Sequence, residues 1–131
     1  AAALSAGLVI GLSVHAMLLG HWYLNAPGMR VDILQTMVLW TLAAWGLETV
    51  IAVAGLPTLL GLLADPATAA LGGLRWIAGL IGLPVLLIMS RRTLEIPNTQ
   101  SATGILYVAC LAAIVGELTA QLLSERSGWP V

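Results

Sequence analysis

Residues 3–28 read ALSAGLVIGLSVHAMLLGHWYLNAPG. About 20 apolar residues in a row let a helix cross the hydrocarbon core of a bilayer. This run reaches that length before it meets His21-Trp22-Tyr23 and breaks at Asn25, Pro27 and Gly28. Amphipathic rings at the end of an apolar run belong at the headgroup level. The run has no basic flank before it and is too long for the h-region of a cleaved leader, so it is expected to stay as a span.

The rest of the chain repeats the pattern. Beside the first span, at about 3–24, three further runs qualify, at about 33–54, 70–90 and 102–124. Gly55-Leu56-Pro57, Asp65-Pro66 and the polar stretch 91–101 punctuate them. Residues 58–64 are apolar but too short to span, and are expected in the interface or against the bundle. Pro84 falls inside the third run, where a kink is expected. Only 8% of the 131 residues are charged and 60% are hydrophobic, against about a quarter charged in soluble domains. So few charges cannot cover a soluble surface. The expected class is an all-α integral membrane protein whose four transmembrane helices form two consecutive helical hairpins, one domain over 1–131.

The two hairpins are faintly alike. HWYLNAP (21–27) stands where RRTLEIP (91–97) stands, and LAAWGLET (42–49) where LAAIVGELT (111–119) does. Arg30, Arg91 and Arg92 share one side of the membrane, whereas Arg75 and Arg126 belong to the other. The positive-inside rule then puts the first side in the cytoplasm of an inner-type membrane and both termini outside.

Charge and cysteine usage narrow the function. The net charge of −1, carried with five Arg and no Lys, offers no basic surface for nucleic acid. The single Cys110 excludes an internal disulfide and a cysteine cage for a metal, and no metal site is expected. No phosphate-binding glycine loop, H-E-x-x-H or nucleophile elbow is present, so no catalytic residue is assigned.

Ionisable residues inside the spans carry the remaining information, because each costs at least about 2.5–3.5 kcal/mol in the bilayer and asks for a partner. Glu48 and Glu117 each stand about seven residues from the end of their spans, and Arg75 about five into its own, so at 1.5 Å per residue the three share a depth. A guanidinium can bridge two carboxylates. Glu48, Arg75 and Glu117 are therefore expected as an intramembrane ion-pair network, or as a proton site in which one Arg cannot neutralise both acids. Mostly small residues accompany each of them: Thr41, Ala44 and Ala52 beside Glu48, Cys110 and Ala113 with the longer Gln121 beside Glu117, Gly79 and Gly82 beside Arg75. Such stripes read as helix contacts.

His15 follows Gly7 and Gly11 at four-residue intervals, which predicts that it points into a helix contact. His21 lies six residues further on and is rotated by about 120°, so the two imidazoles cannot hold one iron. A bis-His haem is excluded for the chain alone. A tetrapyrrole would need a second chain, an open position, or Met17, Met37 or Met89. His15 and His21 are the candidate cofactor-binding residues, and the cofactor they would serve is a tetrapyrrole or quinone shared with partner chains. At the membrane surface Trp22 and Tyr23 are expected beside Arg91 and Arg92, with His21 facing the two arginines, in contact with a headgroup or quinone. Gln100 and Ser101 are expected to cap the fourth helix.

The functional expectation is a non-catalytic integral membrane subunit of a larger bioenergetic complex, respiratory or photosynthetic, embedded in lipid and anchoring other membrane subunits. The alternative is a small proton- or ion-coupled transporter that uses Glu48 and Glu117.

Overall fold

The computed structural model describes residues 2–26, 28–96 and 98–131. Among them, four helical rods are long and apolar enough to cross a membrane, and no strand occurs. The rods are α1 (Ala2–Asn25), α2 (Val31–Leu62), a composite third rod and α5 (Thr99–Ser127). The third rod joins α3 (Pro66–Leu74), a π-helical segment (Arg75–Gly82) and α4 (Leu83–Glu95). The chain is an all-α, multi-pass membrane protein.

The rods form a ring. α1 packs between α2 and α5, α5 packs on the third rod, and α4 closes the ring against α2. Val9 and Ala16 of α1, Leu34 and Val38 of α2, Leu83 and Leu87 of α4, and Leu106 and Ala113 of α5 fill the centre. Outward stand Leu4, Val50, Ile77 and Leu111, each at least 60% exposed. Lipid is as apolar as these side chains, so close packing and internal polar contacts hold the bundle, rather than escape from water.

Local chemistry sets three of the ends. Asp65 caps α3: its carboxylate accepts hydrogen bonds from the backbone N–H of Thr68 at 3.0 Å and from the Thr68 hydroxyl at 2.7 Å. Pro66 follows in the first helical position, where a missing N–H costs nothing. Arg126 reaches back from α5 to Asp65, at 3.4 Å. Asn98 caps α5 by accepting from the Ser101 N–H at 3.1 Å. Gln100 and Ser101 therefore lie within the first turn and are not the cap. Gly128 ends α5 in the left-handed conformation at φ 66°, which glycine adopts without a Cβ penalty.

Six further expectations are corrected. The second span does not stop at Gly55-Leu56-Pro57, and 58–64 is not a separate segment, because α2 runs on through Pro57 to Leu62. At its 32 residues α2 is about 48 Å long, well beyond the hydrocarbon core. Pro57 removes one hydrogen bond near the end of this rod, which a packed helix absorbs. Gly55 stays bare because the segment Pro130–Val131 lies against it: a Cβ there would approach the Pro130 carbonyl and stand 2.9 Å from the Val131 Cα.

The third span begins earlier and ends later than 70–90, and it answers Pro84 with a π segment rather than a simple kink. Pro84 is the second residue of α4. Just before it the Leu83 N–H bonds back five residues, to the Ala78 carbonyl. The wider turn makes room for the ring and for the carbonyls it leaves unserved.

Gly7, Gly11 and His15 do not enter a helix contact. All three are exposed, and the buried stripe of α1 is Ser5, Ala6, Val9, Ser13, Ala16, Gly20 and Tyr23. Small residues occupy both faces of this helix, so the spacing of its glycines does not choose between them. Tyr23 is likewise not a surface ring: it is 5% exposed, and its hydroxyl donates to the Arg30 carbonyl. The likeness of the two hairpins rests partly on Pro27 and Pro97, which lie outside the described residues.

Candidate functional site

Three rods meet at one buried charge centre. Glu48 comes from α2, Arg75 from the first residue of the π segment, and Glu117 from α5, each no more than 4% exposed. Arg75 Nη2 lies 2.6 Å from Glu48 Oε1, and Arg75 Nη1 lies 3.1 Å from Glu117 Oε1. The same Nη1 donates to the Gly116 carbonyl at 3.4 Å. From α1 the Ser5 hydroxyl donates to the other oxygen of Glu48. Every rod of the ring thus contributes to one polar knot.

The knot depends on close backbone approach. Gly79 of the π segment and Gly116 of α5 touch, with no room for a Cβ between them. That contact lets the Arg75 side chain turn along α5 and reach Glu117. Burying an ion pair is costly unless its hydrogen bonds are met. Here Glu48 is met on both oxygens, by the guanidinium and by Ser5. Glu117 is met on one. The Arg75 Nε–H has no partner among the described residues.

A cavity of about 300 Å³ opens onto the two carboxylates. Its walls include Ala2 and Ala6 of α1, Gln121, Ser124 and Glu125 of α5, and the Pro130–Val131 segment. Gln121 and Glu125 are exposed. The cavity therefore joins the knot to the membrane face on which α1 begins and α5 ends. Toward the opposite face the interior is packed by Val9, Ala16, Val38, Leu83 and Ala113, with the buried hydroxyls of Ser13, Thr41, Ser90 and Thr103 among them.

The remaining candidates do not converge. His15 is exposed on the outer face of α1 and makes no hydrogen bond among the described residues. His21 is exposed too, but its Nδ1 lies 3.3 Å from the Tyr107 hydroxyl of α5, with the rings edge to face. His21 is therefore engaged with Tyr107, and not with Arg91 and Arg92, which are exposed and hydrogen-bond to no other side chain among the described residues. Trp22 is 63% exposed on the same end of α1. Among the described residues no group of three His, Cys, Asp or Glu side chains could hold a metal ion. Sequence reasoning missed Ser5 and the Gly79–Gly116 contact. Ser5 carried a signal, being a hydroxyl at the depth of Glu48 on the neighbouring antiparallel helix.

Fold and site together define a four-span membrane protein with a buried Arg between two Glu. No protein family, curated protein or solved structure matches the chain.

Proposed function

We propose that the chain is a non-catalytic subunit of a larger electron-transfer assembly in an inner-type membrane, with the Arg30, Arg91 and Arg92 side in the cytoplasm and both termini outside. One observation carries this reading. The His15 imidazole stands on the outer face of α1 within the span, beside Gly7 and Gly11, where an added Cβ would meet nothing within 4 Å. A polar ring facing hydrocarbon asks for a partner, and the bare helix beside it lets another helix approach. A neighbouring subunit, or a tetrapyrrole seated between subunits, supplies that partner. The His21–Tyr107 pair at the end of the span suits a quinone carbonyl or a headgroup.

The test is a visible spectrum of the protein purified with its native neighbours, before and after reduction. The expected result is an absorption band that requires the partner chains, disappears in His15→Ala and survives in His21→Ala. Purification as a colourless single chain would overturn the reading.

A second reading, a small proton- or ion-coupled transporter, has one observation in its favour: the cavity that opens onto Glu48 and Glu117. Flux across proteoliposomes that is driven by a pH gradient and lost in Glu117→Gln is the expected result of that reading.

A further inference from the structure

The two carboxylates of the knot are not equivalent, and from this we infer that Glu117 is a proton-binding site loaded through the cavity from the face where the N- and C-terminal segments lie. A proton site at Glu117 is independent of the subunit reading and supplies the proton site of the transporter reading, but the test below reads protonation and not flux, so the two can fail separately.

Glu48, Glu117 and Arg75 together carry −1 when both acids are ionised, and all three are buried. An uncompensated charge away from water is unfavourable, and the simplest relief is one proton. Geometry then chooses between the acids. Glu48 faces the guanidinium at 2.6 Å and accepts from Ser5 as well, so both its oxygens are stabilised as a carboxylate. Glu117 holds the guanidinium at 3.1 Å through Oε1 alone, and it shares that Nη1 with the Gly116 carbonyl. Its Oε2 has no hydrogen-bond partner among the described residues, although the residue is 3% exposed and lines the cavity.

The route follows from α5 itself. Gln121 and Ser124 or Glu125 lie one and two turns beyond Glu117 on the same face, and all of them line the cavity. Charged groups facing Glu117 are Arg75 from the π segment, Glu48 from α2 and Glu125 from its own helix. α1 offers the uncharged Ser5, the charged residues of α4 (Arg91, Arg92 and Glu95) are exposed at its C-terminal end, and Asp65 before α3 is paired outward with Arg126. The step is a single transfer: a hydrated proton in the cavity passes to Glu117 Oε2, leaving water behind and a neutral Arg75–Glu48 pair beside a carboxylic acid. Release reverses it.

Infrared difference spectroscopy of the purified chain across a pH series reads the acid directly, because a buried carboxylic acid shows a C=O stretch that a carboxylate lacks. The expected result is one such band, present in wild type and Glu125→Gln and lost in Glu117→Gln. In Glu48→Gln the band is also lost at the pH where wild type shows it, because the guanidinium then has one carboxylate to neutralise. If Glu117→Gln does not fold, Glu117→Asp keeps a titrating group and displaces the band. Transfer to heavy water downshifts the band, more slowly in Gln121→Leu if the cavity is the route. Persistence of the band in Glu117→Gln, full strength in Glu48→Gln, no band in folded wild type at any pH, or an unchanged exchange rate in Gln121→Leu would each overturn the inference.

Discussion

Gly79 and Gly116 meet backbone to backbone: a Cβ on Gly116 would stand 2.5 Å from the Gly79 Cα, and one on Gly79 3.0 Å from the Gly116 Cα. Neither neighbour is the end of a flexible side chain, so neither can swing away. The contact brings the π segment against α5 at the level where Arg75 reaches Glu117. A methyl group at either position must push the rods apart and lengthen that ion pair. Gly116→Ala is expected to destabilise the folded protein by about 1–3 kcal/mol, read as a lower melting temperature in detergent. Gly46→Ala, where a Cβ would meet nothing within 4 Å, is the control and should not melt earlier.

Removing Arg75 alone leaves two buried carboxylates without their cation. Arg75→Met should cost about 3–5 kcal/mol, whereas Arg75→Met combined with Glu48→Leu and Glu117→Leu should recover much of that loss. Unfolding measured in mixed micelles tests the order. A triple variant less stable than the single one would show that the knot contributes net stability beyond its charge balance.

Asp65 sets a pH dependence outside the spans. Hydrogen bonds from the Thr68 side chain and backbone hold its carboxyl below the ordinary carboxylate value, with a smaller contribution from Arg126. A depressed folded value means that its stabilisation is complete above the unfolded value and is lost as pH falls through the folded one. The melting-temperature gap between wild type and Asp65→Ala should therefore be full near neutrality and narrow in acid. A gap that widens on acidification would contradict this assignment.

The outer face of α1 separates the stability of the chain from its assembly. Gly11 is exposed and a Cβ there touches nothing, so Gly11→Leu should change the stability of the isolated chain by less than about 0.5 kcal/mol. If a partner helix lies on this face, the same substitution should reduce copurification of native neighbours. Unimpaired copurification places the partner elsewhere.

Topology has a direct readout. With the buried Cys110 replaced by Ala, a cysteine at Ala26 and one at Gln100 should react with an impermeant maleimide from the same side of intact vesicles. One at Ser127 should react from the other side. Labelling of Ala26→Cys and Gln100→Cys from opposite sides is incompatible with four crossings.

Much of this architecture is legible in the amino-acid order, because a bilayer imposes a local rule. Backbone groups in hydrocarbon must be satisfied within the segment, so run length and punctuation are enough to count four spans. Depth is local as well, since it grows by a fixed rise per residue, and it aligns Glu48, Arg75 and Glu117 before any packing is known. Rotation about each helix axis is not local. In α1, glycine and alanine occupy both faces, so nothing in their order tells that Gly20 turns inward while Gly7, Gly11 and His15 turn out. The continuation of α2 through Pro57 and the inward turn of Tyr23 are likewise decided by neighbours on other rods. So is the inequality of the two carboxylates: Ser5 reaches Glu48 across 43 residues of chain and Arg75 reaches Glu117 across 42. A hydrogen bond between such distant residues exists only when two helices present those faces at one depth, and that choice belongs to the packed bundle.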